Sequence, residues 1–391
     1  MQDKKFNVLF FLLKVNCNDG IASYCETLID GLSQQAVQCL IVSGPVASDE
    51  QTRPRREALE SKAAEWRIYP ELKLIPSLAE FIELVNFVRT RNIHIINVHG
   101  LSALLWGKAL SVATGARLVA TYHPSAWGNL QRVRAMSNTT LTAGRRIALN
   151  LLFPDKLIVL SEETKRYIEQ AAPPFKNRII KILGGVSPVF RPPKPEERRA
   201  ARAKFGYQEN DLVCLLAGRL NWVKGQDVLI NAARIVHDSY PNLNLKCLFL
   251  GNGELDEIQG LASSHELERG TFKFVGYRSC VERAMWAADI IALPSRFEGF
   301  ALVIAEAMAT GLVPIRTPSG GAVDQIVDGE NGLLIPFEDP NALAKAIVFL
   351  SNPEKRAAMS TLCIERATRL FSSDAMCNSI NRLYKELSLQ P

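Results

Sequence analysis

Apolar positions along this chain fall in continuous runs rather than in alternation. Residues 6–13 (FNVLFFLL), 39–44 (CLIVSG), 93–99 (IHIINVH), 116–123 (ARLVATYH), 156–160 (KLIVL) and 178–183 (RIIKIL) make a first series. Residues 212–218 (LVCLLAG), 245–251 (LKCLFLG), 272–276 (FKFVG), 289–295 (DIIALPS), 313–317 (VPIRT) and 332–336 (GLLIP) make a second. A strand covered on both faces has no polar side to show, so these runs predict strands of buried parallel sheets. Between most of them lie longer stretches with helical spacing, among them 22–32, 226–237 and 301–310. Strand and helix alternating in two series predict an α/β chain of two Rossmann-like, doubly wound sheets.

The two series are separated by GGVSPVFRPPKPEERR (184–199), which carries four prolines and a charge cluster. It reads as a linker, giving an N-terminal domain 1–186, a linker 187–204 and a C-terminal domain 205–372. A length of 391 residues agrees with two cores. Past Pro336 the pattern turns helical, and FSSDAMCNSINRLYKEL (371–387) opens on capping residues and continues as an amphipathic helix.

With 47% hydrophobic and 22% charged residues the chain is a folded polymer. A net charge of +6 suits an anionic ligand or an acidic membrane surface and is too small to argue for nucleic acid. Eight scattered cysteines without a C-x-x-C pair predict reduced, buried thiols and a cytoplasmic location. The apolar N-terminus is short, is broken by Lys14 and is followed by no small-x-small site, so it reads as a first strand rather than a leader. Residues 131–153 (QRVRAMSNTTLTAGRRIALNLLF) combine four arginines with an apolar face. They are either a peripheral membrane contact at the inner face or a solvated basic face.

Several chemistries lose ground on the motifs. There is no Walker A loop, no H-E-x-x-H, no D-x-D metal anchor and no G-x-S-x-G elbow; GNGELD (251–256) lacks the third glycine of a dinucleotide fingerprint. No cofactor and no metal are expected. Doubly wound sheets bind ligands outside the carboxyl ends of their strands, which directs attention to the residues that follow each run and to the cleft between two such domains.

SRFEGFALVIAEAMATG (295–311) sets Glu298 and Glu306 eight positions apart in an apolar run. If DIIALPS is a strand and ALVIAEAMAT a helix, Glu298 and Gly299 lie in the turn between them. The amides of Phe300, Ala301, Leu302 and Val303 then form a helix N-terminus, a ready site for a diphosphate. Glu306 falls about one turn inside that helix. A nucleotide sugar across this end would offer sugar hydroxyls to Glu298 and a ribose diol to Glu306, and carboxylates suit diols. The plain alternative is that both are acids favoured by the helix dipole, which serves Glu306 less well because a buried acid needs a partner. After LVCLLAG come Arg219 and Lys224, either solvated loop cations or the fixed charges that a departing nucleoside diphosphate requires. His123 ends its strand beside Pro124, and His99 is a weaker candidate of the same kind. Gly20 stands between a strand and a helix, where backbone approaches a phosphate closely.

In this order these residues resemble glycosyltransferase family 4, retaining enzymes of the GT-B fold. The likeness rests on the Gly20 loop, TYH, KLIVLSEETKRYI, GRLNWVKG, FLGNGE, FVGY, the E-x7-E segment and GGAVDQIVDGENGLLIP. It implies a retaining transfer of a sugar from a UDP- or GDP-linked donor to a hydroxyl of a glycan or lipid-linked acceptor, without a metal. It further implies a setting in cell-surface polysaccharide or glycolipid biosynthesis. Glu298 would contact the donor sugar, Glu306 the ribose, Arg219 and Lys224 the diphosphate, and His123 the transferred sugar. The Gly20 loop would close on the phosphates, Tyr277 and its neighbours would lie by the base, and the last helix, 373–391, would pack back on the first domain. Two departures from the family pattern stand out: GGVSP at 184–188 in place of an N-G-V-D-like segment, and Asp324 where glutamate is usual. A GT-B epimerase or hydrolysing relative and a catalytically silent nucleotide-sugar-binding scaffold remain alternatives.

Overall fold

The structure, a computed structural model, describes residues 6–15, 20–46, 53–72, 77–100, 103–123 and 152–389. The chain divides into two compact units, Met1–Gly185 with Ser373–Pro391, and Val186–Ser372.

The first unit is built on seven strands: β1 (Phe6–Leu12), β2 (Val37–Ser43), β3 (Glu65–Ile68), β4 (Ile93–His99), β5 (Arg117–Tyr122), β6 (Lys156–Val159) and β7 (Ile179–Lys181). They lie in the order β3-β2-β1-β4-β5-β6-β7, and every pairing is parallel. Val8, Leu9, Phe10 and Phe11 are fully buried on both faces of β1, which is why their run shows no alternation. β3 escaped the apolar pattern. It is a half-buried edge strand, EWRI, registered on β2 from Leu40–Glu65 to Ser43–Ile68. Glu65 ties it down by an ion pair to Arg91, outside the strand, and pairs with Arg67 within it, so backbone pairing and charge do what apolar side chains do elsewhere.

The helix Ser373–Ser388 belongs to this unit. Its Tyr384 is fully buried and accepts a hydrogen bond from Asn97 on β4 at 2.6 Å. Its Cys377 lies so close to the helix Gly20–Ser33 that a Cβ on Gly31 would come within 2.4 Å of the sulfur.

The second unit holds β8 (Leu212–Ala217), β9 (Leu245–Leu250), β10 (Phe272–Phe274), β11 (Ile290–Leu293), β12 (Val313–Arg316) and β13 (Leu333–Leu334), in the order β10-β9-β8-β11-β12-β13. All of these pairings are parallel too. The segment 187–204, expected as a linker, is instead a folded part of this unit. Its helix Pro195–Phe205 is anchored by Arg198 and Arg202, which reach Asp289 at 2.7 and 3.2 Å. Trp286 Nε1 donates to the Arg191 carbonyl at 3.0 Å. Composition shows prolines and charges but not the buried carboxylate that those charges meet.

Among the described residues, seven cysteines are free, six of them buried and Cys280 exposed. No described helix is long and apolar enough to cross a membrane. The basic stretch 131–153 lies almost wholly outside the described residues. Co-sedimentation with anionic liposomes at low and high salt tests its membrane contact, and no pelleting in either rules that contact out.

Candidate functional site

The strand order of the second unit reverses direction between β8 and β11, and a doubly wound sheet opens a crevice at the carboxyl ends of such a pair. Two loops meet there, 218–225 after β8 and 294–301 after β11. Gly225 has φ +74°, and a Cβ on it would stand 2.3 Å from the Pro294 carbonyl oxygen, so the loops touch backbone to backbone. Gln226 holds the Arg219 carbonyl at 2.9 Å. The Arg296 amide donates to the Val223 carbonyl at 2.8 Å, while its guanidinium grips both oxygens of Asp227 at 2.9 and 2.7 Å and sits 4.4 Å over the Trp222 ring. The loop after β8 is therefore fixed without help from any ligand.

In this frame Lys224 Nζ lies 2.7 Å from Glu298 Oε1. The Ser295 hydroxyl donates to the same oxygen at 2.7 Å. Glu298 is 8% exposed and Lys224 keeps 22% of its side chain in solvent, so a cation reaches the surface from a carboxylate that does not. Burial of the carboxylate is offset by two charge-assisted hydrogen bonds. Arg219, two residues past β8, is exposed and takes no part in the pair.

Glu298 and Gly299 lead through buried Phe300 to Ala301, which has φ 55° and ψ 67°. A left-handed alanine costs roughly 1–2 kcal/mol, a strain the surroundings must hold in place. The helix Leu302–Ala309 follows, and no side chain caps it; in the same unit the helices Pro340–Ser351 and Pro353–Leu370 are capped by Asp339 and Asn352. The first amides of the helix, at Leu302 and Val303, receive no side-chain cap and lie where the helix dipole favours negative charge. Glu306, one turn in, is 8% exposed. Tyr277 lies in the loop after β10, whose Gly276 carbonyl accepts from the Gly251 amide at 3.0 Å, so it borders the turn after β9.

Sequence patterns alone passed over Ser295, Arg296, Arg316 and Gln325. Arg316 and Gln325 were visible as an arginine and a glutamine inside otherwise buried stretches, the one signal available for them.

Two candidates belong to the first unit. Gly20 begins the helix Gly20–Ser33, and among the described residues a Cβ there would meet no atom within 4 Å, so their packing does not demand the glycine. His123 follows β5, half-buried, its Nε2 3.2 Å from His99 Nδ1 and its ring stacked on that of His99 at 5.5 Å. The Tyr24 ring meets it edge-on at 5.1 Å, and Cys25 Sγ lies 3.5 Å from His99 Nδ1. Burial pushes His123 down to about 4, and burial together with His123 holds His99 well below the usual imidazole range. Both rings are therefore neutral at pH 7. Below pH 6.5 the unfolded chain takes up protons that the folded rings refuse, His123 until about pH 4, so stability must fall as acid is added. From His123 alone we expect a loss of about 2 kcal/mol between pH 7 and pH 5, read as a lower urea midpoint, and a flatter pH dependence in His123→Gln. An unaltered slope in that variant would contradict the assignment.

Two family models cover most of the chain: "Glycosyltransferase Family 4" matches residues 18–188 and "Glycosyl transferases group 1" residues 197–363. A D-inositol 3-phosphate glycosyltransferase of Corynebacterium urealyticum is 30% identical over 246 residues, 61% of this chain and 58% of that protein. The chain thus spans about three fifths of that relative's length. A GDP-mannose-dependent monoacylated alpha-(1-6)-phosphatidylinositol monomannoside mannosyltransferase of Corynebacterium glutamicum is 27% identical over 359 residues, 87% of each chain. Among solved structures, Anabaena Alr3699/HepE in complex with UDP and glucose superposes with a TM-score of 0.79 at 21% identity, covering 96% of this chain and 99% of that one. A glycosyltransferase from Rickettsia africae superposes at 0.82 with 18% identity, covering 99% and 100%. At these identities the structures speak for the fold. With both sheets, the crevice between β8 and β11 and the paired family models in agreement, the chain belongs to the family-4 glycosyltransferases and has their GT-B fold of two Rossmann-like units.

Proposed function

We propose that this protein transfers a sugar from a UDP- or GDP-linked donor to a hydroxyl of a glycan or lipid-linked acceptor, with retention at the anomeric carbon. The observation that carries the reading is the Lys224–Glu298 pair beside the uncapped helix at Leu302, at the carboxyl ends of β8 and β11. The donor diphosphate meets the amides of Leu302 and Val303. Lys224 and the exposed Arg219 supply positive charge where the leaving nucleoside diphosphate gains negative charge. Glu298 accepts from a sugar hydroxyl, Glu306 from the ribose, and the Tyr277 loop lies by the base. By the family resemblance, His123 and Gly20 of the first unit are further candidates for contact with substrate. The sugar–phosphate bond breaks as the bond to the acceptor oxygen forms on the same face, and a phosphate oxygen takes the acceptor's proton. No metal is required in this scheme because cations and helix amides share the charge. Two relatives are named for inositol phosphate and a phosphatidylinositol mannoside, which supports a setting in surface glycolipid or polysaccharide assembly.

Melting curves with UDP and GDP at millimolar concentration test the donor site, since a ligand of the folded form raises the melting temperature. We expect one nucleotide to raise it by several degrees and Glu298→Ala to retain that shift while losing turnover. No shift with either nucleotide would overturn the reading. Product formed equally with and without acceptor would point to an epimerase or hydrolase.

Gly20→Ala supplies a separate check. Alanine in a helix position that glycine can leave without clash should preserve stability or raise it by about 0.5 kcal/mol. We expect turnover to fall at least tenfold all the same, because the methyl occupies space left open for a phosphate. Full turnover in Gly20→Ala would remove Gly20 from the site.

A further inference from the structure

Arg316, the last residue of β12, is fully buried. Its Nη2 donates to the Ser319 carbonyl at 3.0 Å, the Ser319 hydroxyl at 3.1 Å and the Gly320 carbonyl at 3.1 Å, and its Nε to the Thr317 carbonyl at 3.3 Å. Nη1 donates to Gln325 Oε1. A guanidinium taken out of water has to be solvated by the chain around it, so these carbonyls hold the turn 317–320 in one conformation.

Gln325 carries the constraint onward. It is also fully buried, and its Nε2 donates to the Phe300 carbonyl at 2.6 Å and to the Ala301 carbonyl at 3.1 Å. Asn331 Nδ2 in turn holds the Gln325 carbonyl at 3.0 Å. The same turn presses on the loop from the other side: a Cβ on Gly320 would stand 2.3 Å from the Glu298 carbonyl oxygen, and the Thr317 hydroxyl donates to the Ser295 carbonyl. The contacts from Gln325, Thr317 and Gly320 all land on Ser295–Ala301, the segment that carries Glu298 and sets the left-handed residue before the helix Leu302–Ala309.

We propose that Arg316 and Gln325 are positioning residues for the donor diphosphate: the buried arginine orients the glutamine amide, and that amide fixes the Phe300 and Ala301 carbonyls so that the amides of Leu302 and Val303 face the phosphates. The inference rests on the donor reading above and deepens it. Neither side chain need touch the donor. A glutamine is suited to the task because one end accepts from the guanidinium while the other donates to two carbonyls, a polarity that a carboxylate cannot supply.

Gln325→Glu separates positioning from packing. It keeps an acceptor for Arg316 and the side-chain volume, but presents a carboxylate to two carbonyls where an amide donated. On folded full-length protein we expect the dissociation constant for UDP or GDP, whichever the wild type binds, to rise at least tenfold. Uridine or guanosine, which lacks the diphosphate, should bind as in the wild type by saturation-transfer NMR. Amide exchange of residues 299–304 should quicken without ligand while that of β8 and β9 stays as it was. Unchanged diphosphate affinity overturns the inference, and so does an equal loss for nucleoside and diphosphate, which is the mark of general loosening. A wild type that binds neither UDP nor GDP overturns the donor reading and this inference with it. Should Gln325→Glu fail to fold, Gln325→Met removes both hydrogen-bonding ends at similar volume and is read by the same three measurements.

Discussion

Lys224→Ala is expected to lower kcat/KM for the nucleotide sugar by a factor of about a hundred to a thousand, the loss typical of removing one preorganised charge stabiliser from a transition state. Two effects act together. The cation that would meet the leaving diphosphate is gone, and Glu298 is left behind with Ser295 as its one remaining donor among the contacts described. A carboxylate 8% exposed cannot recover its lost partner from bulk water. It either takes a proton or repels the diphosphate, and both outcomes oppose the reaction. Glu298→Gln in the Lys224→Ala background removes that stranded charge. The double variant should regain part of the stability lost by the single one and none of its turnover, because the amide cannot replace the missing cation. Steady-state kinetics and urea melts on the four proteins form a double-mutant cycle. A Lys224→Ala enzyme within threefold of wild-type kcat/KM would remove this pair from the mechanism.

Gly320→Ala should disrupt the segment that carries Glu298 more than it disrupts the fold around it. Its Cβ would lie 2.3 Å from the Glu298 carbonyl oxygen, 3.1 Å from that of Gly299 and 3.2 Å from the Glu298 carbonyl carbon. All three obstacles are backbone, so no side chain can swing aside. The turn 317–320 is pinned from below by Arg316, which leaves the segment Ser295–Ala301 as the part that yields. Overpacking of this kind costs about 1–3 kcal/mol. The larger consequence is displacement of Glu298 away from Lys224 and of the Leu302 amide from the position proposed to meet the diphosphate. We expect donor affinity to fall at least tenfold and kcat to fall further, since shifts of about 1 Å at reacting groups are worth orders of magnitude. A Gly320→Ala protein with unchanged UDP and GDP affinity would show that the loop has slack and that the close approach is incidental. In stability Gly20→Ala is the contrast, since no described atom lies within 4 Å of the new carbon.

How much was legible beforehand depended on what kind of interaction places each residue. Runs such as IHIINVH and LVCLLAG mark their strands to within a residue, because a strand buried on both faces must be apolar along its whole length. EWRI could not be found this way: an edge strand half in solvent is held by backbone pairing and ion pairs. The linker reading of 187–204 failed for a related reason. Prolines and charges describe an exposed tether, and only the fold shows Asp289 waiting under Arg198 and Arg202. In the candidate site Glu298, Lys224, Glu306 and the helix after Phe300 stood out as a combination, since each alone is equally a helix-dipole acid, a solvated loop cation or a packed helix. Arg219 stood out equally and is exposed, apart from the Lys224–Glu298 pair.

What the order of residues determined alone was therefore the two parallel sheets, the loops that bear chemistry and the E-x7-E segment, all of them local in the chain and all set by burial periodicity and strand-to-helix turns. What required the tertiary structure was which loop touches which. The pairing of Lys224 with Glu298 spans 74 residues, the Asn97–Tyr384 bond that draws the last helix into the first unit spans 287, and the hold of Gln325 on Phe300 spans 25. Contacts of that reach follow from strand order and register, which bring distant carboxyl ends together, and no window of sequence contains both partners along with the geometry that joins them.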